Sequence, residues 1–257
     1  MTKTPAEIEL MAESGRLLAS VFTWLDGLPM AGMNTLEIND RVEAFIVDNL
    51  AARPASKGQY GYGFVLNVSP NHVVCHGVPS REDVLKDGDI VNLDITLEKN
   101  GFIADSSKTY LIGPVAGPAR RLVQTTYEAM WKGIRAVRPG ATLGDVGHAI
   151  ERHATRRGYS IVRDFCGHGI GRVFHDSPNV LHYGRRGEGA VLKPGMFFTV
   201  EPMVNLGKPA VKVLSDGWTA VTRDKSLSSQ CEHSIGVTED GLEIFTASPK
   251  GLFRPKF

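Results

Sequence analysis

Apolar residues recur at helical spacing in four segments of the chain, grouped as two consecutive pairs. An apolar stripe from Ile8 to Phe22 follows Thr4 and Pro5, residues that favour a helix start. Three more helices are predicted, from near Asn34 or Thr35 to Leu50, at roughly 117–137 and at roughly 142–157. Strand-like patterns between and after the pairs occupy 60–68, 89–99, 102–112, 196–206, 211–214 and 231–237.

The adjacent strand patterns at 89–99 and 102–112 predict a β-hairpin that places two aspartates side by side. Asn and Gly at 100–101 are typical of a two-residue turn. With that turn, Asp94 lies opposite Ser107 and Asp105 lies opposite Thr96. The two carboxylates are then diagonal neighbours on one face, roughly 7–8 Å apart or less. Because apolar residues flank both, burying the pair costs free energy unless a cation compensates it.

The second half of the chain repeats the pattern of the first. LKDGDIVNLD at 85–94 matches LKPGMFFTVE at 192–201 in Leu, Lys, Gly and a final acid, with an offset of 107 residues. The Thr-Leu pairs that open the second and fourth helices, at 35–36 and 142–143, share this offset. We therefore predict an α/β fold in which two duplicated halves, about 1–112 and 113–248, face each other across a cleft within a single domain, 1–257.

Two further carboxylates in the second half complete a candidate metal site. Glu201 lies in MFFTVEPMV and Glu232 in SSQCEHSIGV, and no Lys or Arg is expected in the strand interiors to neutralise these acids. Four carboxylates at one cleft match two divalent cations, and His168, left open by the glycines of CGHGIGR, supplies a fifth ligand. Oxygen-rich ligands with one imidazole favour Mn, Fe(II), Co or Zn. Two such ions can activate a water molecule for metal-assisted hydrolysis of an acyl bond.

A purely structural interpretation of these residues stays open at this point. A lone buried acid on a strand is most often a hydrogen-bonded core residue, and a histidine between glycines is most often a turn residue. Only the joint arrangement favours the metal site over that alternative. Each half has two acids and one histidine turn, VCHGVP in the first half and the matching VFHDSP at 173–178 in the second.

Composition narrows the class of protein and its compartment. The net charge of +1 gives no electrostatic reason to expect nucleic acid or an anionic membrane, and the basic pairs at 156–157 and 185–186 are interpreted as solvated surface. Three cysteines without a CxxC motif argue against a disulfide framework and favour a reducing compartment. Because the sequence has neither a signal peptide nor an apolar run long enough to span a bilayer, a cytoplasmic location is expected.

Taken together, these blocks resemble the type I methionine aminopeptidases, a family of pita-bread metallopeptidases. The resemblance runs from about Thr4 to Ala247. It is carried by FCGHGIGRVFHDSPNVLHY at 165–183, and by VVCHGVP, DIVNLDIT, DSSKTY, TVEPMV and QCEHSIGVT in the family's order and spacing. The resemblance implies a pita-bread fold, with an antiparallel sheet covered by helices in two pseudo-symmetric halves, which agrees with the duplication.

The resemblance also implies a role for each candidate ligand. The residues that match the family's metal ligands are Asp94, Asp105, His168, Glu201 and Glu232. Asp105 and Glu232 would bridge two divalent ions, Asp94 would bind one ion, and His168 with Glu201 would bind the other. Glu201 would also carry the proton of a water or hydroxide nucleophile that bridges the ions.

Further matches imply residues that handle the substrate. His76 and His175 would contact the scissile peptide group, and His175 would stabilise the tetrahedral intermediate. The residues that match the family's methionine pocket are Tyr62, Phe174 and Trp218, with Cys75 and Gln230 close by in sequence. Aromatic walls suit a thioether, although each aromatic taken singly is equally explained as a core residue.

The implied activity is removal of the N-terminal methionine from nascent proteins whose second residue is small. The implied partners are the nascent chain and, transiently, the ribosome, and we expect a monomer that binds no specific nucleic acid and no membrane. Two residues depart from the family. Cys231 stands where an aromatic residue is usual, which raises the expectation of inactivation by peroxide, and Asn67 replaces a smaller or thiol residue at the pocket rim.

Two alternatives are weighed against this interpretation. A proline-specific peptidase of the same fold would carry a separate N-terminal domain, whereas the first helix pair here begins almost at Met1. A non-catalytic pita-bread protein that binds peptides typically lacks metal ligands, whereas all five candidates are present here. Both comparisons favour the methionine aminopeptidase.

Overall fold

The computed structural model describes residues 2–247. Residues 1 and 248–257 lie outside the described residues. They include both ends of the predicted domain, 1–257, and the last residue of its predicted second half, 113–248. The α-helices of the described range are α1 (Pro5–Leu25), α2 (Thr35–Ala44), α3 (Gly117–Ile134) and α4 (Leu143–Thr155). A π-helical turn (Phe45–Asn49) extends α2, and a 3-10 turn spans Gln59–Gly61. None of the described helices is both long enough and apolar enough to cross a membrane.

The strands follow each pair of helices. Those of the first half are β1 (Arg53–Pro54), β2 (Leu66–Pro70), β3 (Val73–Cys75), β4 (Ile90–Lys99) and β5 (Phe102–Leu111). Those of the second half are β6 (Ser160–Ile161), β7 (Gly167–Gly169), β8 (Asp176–Val180), β9 (Phe197–Val200), β10 (Met203–Asn205), β11 (Val211–Val213), β12 (Ala220–Thr222), β13 (Ser228–Gln230), β14 (Glu232–Val237) and β15 (Leu242–Ile244).

A nine-stranded antiparallel sheet contains strands of both halves. Its order is β1-β4-β5-β14-β9-β7-β8, with β2 paired to β4 and β15 paired to β14. The pairing of β5 with β14 joins the two halves in one sheet. The remaining described strands form two three-stranded antiparallel sheets, β13-β10-β6 and β11-β12-β3. Antiparallel sheets with two pairs of helices confirm the predicted fold class.

Capping side chains explain where three of the helices begin. The Thr4 hydroxyl accepts a hydrogen bond from the backbone N–H of Glu7, whose carboxylate in turn accepts one from the N–H of Thr4. Thr142 and Asp145 form the same reciprocal pair at the start of α4. The Asn34 side chain accepts from the third residue of α2 at 2.9 Å. These bonds satisfy donors that a helix cannot satisfy internally, and the predicted helix starts are confirmed.

The predicted hairpin is confirmed residue for residue. Strands β4 and β5 pair Asp94 with Ser107 and Thr96 with Asp105. Asn100 and Gly101 both have positive φ angles, of 53° and 78°, which matches the turn type that Asn-Gly favours between twisted strands. The register places both aspartates on the same face of the sheet.

Backbone contacts repeat between the halves, at the predicted offset of 107 residues on the loop side and at 108 residues on the helix side. The backbone N–H of Leu85 donates to the carbonyl of Met33 at 2.9 Å, and the N–H of Leu192 donates to the carbonyl of Ala141 at 2.8 Å. Isolated β-bridges join 34 to 84 and 142 to 191 in the same places. Each half thus ties its second helix to the loop that precedes its central strand, as a duplication requires.

Each pair of helices covers its own hydrophobic core. In the first core, Leu18 and Phe22 of α1 are buried with Leu93, Leu97 and Phe102 of the hairpin. The second core combines side chains from α3 and α4 with the other half of the sheet, among them Leu122, Ile150, Phe198, Val200 and Ile235. Each fully buried side chain of this size contributes about 1.5–3 kcal/mol, so the two cores together stabilise the sheet from the face opposite the aspartates.

Two strand predictions are wrong in part. At 60–68 only Leu66 onward is a strand, because the preceding residues form the 3-10 turn, where Tyr60 adopts a φ of 50° between two glycines. The pattern at 196–206 forms two strands, β9 and β10, because Pro202, which has no backbone N–H, stands in the gap between them.

The expectation that the strand interiors contain no cation is also wrong. Lys108 lies in the interior of β5 with its side chain almost fully buried, and its ammonium group forms an ion pair with Asp26 beyond the end of α1. Successive side chains of a strand point to opposite faces, so Lys108 lies on the face opposite Asp105. The aspartates therefore receive no compensation from this lysine.

Candidate metal centre

Candidate ligands from both halves of the chain meet on one face of the nine-stranded sheet. Asp94 on β4 and Glu232 on β14 both lie opposite Ser107 of β5, and Asp105 lies two residues before that serine. Glu201 directly follows β9, and His168 is the middle residue of β7. Asp105, His168 and Glu232 each offer one ligand atom within 4.8 Å of the others. The predicted ligands are thus assembled in one place, as the repeat implied.

His168 reaches the cluster from β7, on the other side of β14 and β9 from the hairpin. Its Nε2 lies 3.6 Å from Asp105 Oδ2 and 3.7 Å from Glu201 Oε1. Its Nδ1 lies 3.1 Å from the carbonyl oxygen of Gly169, which fits an Nδ1–H donating to that oxygen and leaves the Nε2 lone pair directed at the carboxylates. This is the arrangement in which a neutral imidazole binds a metal.

The flanking glycines of His168 serve a different purpose from the one predicted. The imidazole is not open to solvent, because the residue is buried. A Cβ atom at Gly167 would collide with the backbone of Thr199, and one at Gly169 would collide with the backbone of Ser177. Glycine is required because the neighbouring strands approach β7 closely, and this packing fixes the position of the histidine.

Burial raises the pKa of every carboxyl group in the cluster. The pKa of Asp105 and that of Glu201 each rise to about 8. Burial, and then the charge of Asp105, hold the pKa values of Asp94 and Glu232 well above their usual range. Without a cation, the ionised cluster is destabilised by its own charge at neutral pH.

The donor set fits divalent metal ions. Among the described residues, Asp105 Oδ1 and Glu232 Oε1 are buried without any hydrogen-bond partner, which is costly for a carboxylate unless a cation contacts it. Asp94 lies outside the tight trio, and the Asn67 side-chain amide donates to its Oδ2 at 3.4 Å. Carboxylate oxygens with one imidazole suit hard or borderline ions such as Mn, Fe(II), Co or Zn.

Three residues that the sequence analysis did not single out as support for the ligands hold Glu201. The Thr199 hydroxyl donates to Glu201 Oε1 at 2.6 Å and accepts from the backbone N–H of His168 at 3.0 Å. The Gln230 amide donates to Glu201 Oε2 at 3.3 Å, and His182 Nε2 accepts from the Glu201 backbone N–H at 3.2 Å. All three residues lie in the motifs that carry the family resemblance, but no sequence pattern predicts that they contact Glu201.

Two further histidines border the cluster. His175 lies over His168, with ring centroids 4.4 Å apart, and burial followed by the nearby imidazoles lowers its pKa to about 4. His76 adopts a φ of 55°, and burial lowers its pKa. The carbonyl of Val68 leaves no space for a Cβ atom after His76, which explains Gly77. Both imidazoles are therefore neutral hydrogen-bonding groups at pH 7.

A cavity of about 500 Å³ opens above the cluster. Its aromatic lining includes the predicted Tyr62, Phe174 and Trp218, and the Tyr62 and Trp218 rings are 4.9 Å apart. Tyr60 and Phe165 also line it but were not predicted; the Tyr60 hydroxyl lies 3.4 Å from His175 Nδ1. Cys75, Asn67 and Gln230, which were placed near the pocket from sequence, line the cavity too.

Cys231 does not have the surroundings of a reactive thiol. Its side chain lies in the second core rather than in the cavity lining. Burial raises its pKa to about 12, so the thiolate that peroxide attacks is scarce at neutral pH. The expectation that peroxide inactivates the protein through Cys231 is therefore not supported.

Comparison with known proteins decides the family. The sequence profile of metallopeptidase family M24 matches residues 9–239. The chain belongs to metallopeptidase family M24. This M24 chain is 50% identical over 248 residues to a methionine aminopeptidase of Rickettsia prowazekii, with 96% of this chain and 95% of the relative covered. It is 46% identical over 244 residues to a methionine aminopeptidase of Escherichia coli, with 95% and 92% covered.

Solved structures agree with the sequence relatives. A crystal structure of methionine aminopeptidase from Rickettsia prowazekii superposes on the M24 chain with a TM-score of 0.93 at 48% identity, covering 96% of this chain and 99% of the other. The cluster of carboxylates and His168 therefore lies in a metallopeptidase fold, and the M24 chain is a metal-dependent hydrolase.

Proposed function

We propose that this chain is a methionine aminopeptidase that removes the N-terminal methionine from polypeptides whose second residue is small. The observation that carries the proposal is the convergence of four carboxylates and His168 beneath an aromatic cavity. The relatives named methionine aminopeptidase, which match almost the whole chain, support the same activity.

The proposed centre holds two divalent ions, Co, Mn, Fe(II) or Zn. The proposed ligands are Asp94, Asp105, His168, Glu201 and Glu232, with Asp105 and Glu232 shared between the ions. The unpartnered buried oxygens of these two acids support the bridging role. When bound, divalent ions polarise a peptide carbonyl and lower the pKa of a water molecule.

Glu201 is proposed to move the proton during hydrolysis. Its Oε1 accepts from Thr199 and its Oε2 from Gln230, so both oxygens are held in fixed directions. A buried carboxylate at the cavity can accept a proton from the attacking water and return it to the leaving amine. The buried, solvent-poor setting prevents that proton from being lost to bulk water.

His76 and His175 are proposed to hold the scissile peptide group. Both line the cavity, and both are neutral near pH 7 because their pKa values are lowered. A neutral imidazole donates a hydrogen bond to a carbonyl oxygen, and the bond strengthens as negative charge develops on that oxygen. His175 is proposed to stabilise the tetrahedral intermediate in this way.

The aromatic walls are proposed to select methionine. Tyr62 and Trp218 pack against each other on one side of the cavity, and Phe174 stacks on His175 with centroids 4.2 Å apart. A thioether contacts ring edges favourably, by about 0.3–1.5 kcal/mol for each contact. Tyr62 is fixed because its hydroxyl donates to the carbonyl of Leu66 at 3.0 Å.

The proposed working form is a monomeric single domain, 1–257, with halves at about 1–112 and 113–248, in the cytoplasm. Its substrates are nascent chains, with a transient contact to the ribosome that makes them. Gel filtration combined with light scattering tests the oligomeric state, since a mass near the 28.0 kDa of one chain is expected.

The deciding experiment is hydrolysis of Met-Gly-Met-Met and of a Xaa-Pro peptide with Mn, Co or Fe(II), with and without a chelator. We expect metal-dependent release of methionine and no cleavage before proline. Cleavage of the proline peptide alone would assign the chain to the proline-specific peptidases. Metal-independent cleavage, or none, would refute the proposed activity.

Variants of the general base and of the pocket test the assigned roles. Glu201→Gln is expected to reduce turnover by orders of magnitude while the fold is retained, whereas Trp218→Ala is expected mainly to raise KM for methionine peptides. Glu239→Gln, on an exposed turn, is the matched control for the first change. Full activity of Glu201→Gln would remove this residue from the mechanism.

A further inference from the structure

Basic side chains from three separate parts of the second half surround one surface cavity. The cavity has a volume of about 450 Å³, and its charged lining consists of Lys132, Arg152, His153, Arg156, Arg157 and Arg186. Lys132 lies in the last turn of α3, and Arg152 and His153 lie in the last turn of α4. Arg156 and Arg157 directly follow α4, and Arg186 lies in the loop after β8. None of these residues lines the cavity above the metal centre.

Acidic side chains compensate only a small part of this charge. Glu128 pairs with Arg157 at 3.2 Å and with His153 at 2.9 Å. Lys132, Arg152, Arg156 and Arg186 form no ion pair within the described part of the chain, and all four are exposed. Because the whole chain carries a net charge of only +1, this surface is strongly positive against a near-neutral background.

Helix ends alone do not explain the cluster. The negative end of a helix dipole favours cations in its last turn, which accounts for Lys132 and for the arginines of α4. It does not account for Arg186, which reaches the same cavity from a loop. Arg152 and Arg156 are also four residues apart on one helix face, where like charges repel each other. Such an arrangement is favourable when an anion occupies the space between the side chains.

The lining indicates which kind of anion fits. Guanidinium groups bind phosphate oxygens through paired N–H donors. No Phe, Tyr or Trp lines the cavity, so it lacks the aromatic surfaces on which unpaired bases stack. None of the large exposed apolar side chains lies in it either, which argues against insertion into a lipid surface. The lining therefore fits the phosphate groups of a double-helical nucleic acid, whose paired bases need no stacking surface.

We propose that this surface, Lys132, Arg152, Arg156, Arg157 and Arg186, binds the phosphate backbone of double-helical RNA without reading its sequence. Backbone contacts carry no base information, so the proposal agrees with the expectation of no specific nucleic acid. It offers an alternative to the interpretation of the basic pairs as solvated surface, because Arg156, Arg157 and Arg186 line one cavity, whereas Arg185 lies 3.9 Å from Glu188. The proposal does not depend on the peptidase activity proposed above.

The test compares charge reversal at this surface with charge reversal elsewhere. Arg152→Glu with Arg156→Glu changes the surface, and Arg81→Glu with Lys86→Glu is the control, because those two residues are exposed, form no ion pair and lie outside the cavity. Both double variants have the same net charge. Binding of a fluorescently labelled RNA hairpin is measured by anisotropy at several KCl concentrations, and circular dichroism checks the fold.

We expect the surface variant to bind the RNA at least tenfold more weakly than wild type. The slope of log K against log[KCl] should become less steep by about two, and the control variant should keep both the affinity and the slope of wild type. Arg186→Ala, a loop change that leaves the helices intact, should weaken binding in the same direction. Hydrolysis of Met-Gly-Met-Met should be unchanged in all variants. The proposal would be overturned if wild type and the surface variant bound RNA equally, or if the control variant lost as much binding as the surface variant. It would also be overturned if this surface bound anionic phospholipid vesicles in place of RNA.

Discussion

Replacing Asp105 with asparagine is expected to stabilise the metal-free protein at pH 8 while removing its activity. Burial raises the pKa of this carboxyl from 3.8 to about 8, so the folded state binds the proton more tightly than the unfolded chain. The metal-free protein therefore loses stability as pH rises from about 4 through about 8, by on the order of 5 kcal/mol for this group.

Asparagine cannot ionise, so the metal-free variant does not lose stability at this position as pH rises. It also removes a charge that contributes to the raised pKa of Asp94 and of Glu232, which eases their ionisation. Its amide can donate to either neighbouring carboxylate. Because globular domains are stable by only about 5–15 kcal/mol, the gain at pH 8 should be large enough to measure.

Urea denaturation in chelator at pH 5 and pH 8 tests this prediction. The variant should unfold at higher urea than wild type at pH 8, and the difference should be clearly smaller at pH 5. Exposed Asp48→Asn is the control and should follow wild type at both values. In the presence of Mn, wild type should regain the stability and only wild type should cleave methionine peptides. A variant less stable than metal-free wild type at pH 8 would refute the electrostatic argument.

Three further predictions follow from contacts outside the carboxylate cluster. Thr199→Val removes a hydroxyl bonded to two candidate ligands and should weaken metal binding by about 10–100-fold in a calorimetric titration, with the fold intact. Asp26→Ala removes the carboxylate that pairs with the buried Lys108 and should destabilise the protein by about 3–5 kcal/mol, whereas Glu37→Ala, at an exposed ion pair, should cost less than about 1 kcal/mol on denaturation. Peroxide should inactivate wild type and Cys231→Ser at the same rate, because the thiol is buried and neutral; protection by serine would contradict this.

The hairpin and the duplication could be predicted because their signals are local. Asn and Gly at 100–101 fix the turn, and side-chain alternation then fixes the register that places Asp94 beside Asp105. The matching blocks in each half located Glu201, and the strand pattern around Glu232 located the fourth acid. Five candidate ligands therefore followed from the sequence, and the family resemblance agreed with that set.

The features that could not be predicted depend on contacts between distant segments. Strand β3 is only three residues long and exists because Ala220 and Val221 of β12 pair with it. The ion pair of Lys108 with Asp26 joins a strand to the end of a helix packed against it, and neither residue has a local signal. The reason for the glycines beside His168 could not be predicted either, because it is the close approach of neighbouring strands to β7.

The order of the candidate ligands along the chain has a consequence for how the enzyme acquires its ions. Asp94 and Asp105 are synthesised early, whereas Glu232, which completes the tight trio with Asp105 and His168, is the last of the five. A ribosome must synthesise the chain through Glu232 before the full set of donors exists. Loading of the complete site therefore follows the synthesis of Glu232, and the ions available at that time determine which ion each new molecule captures.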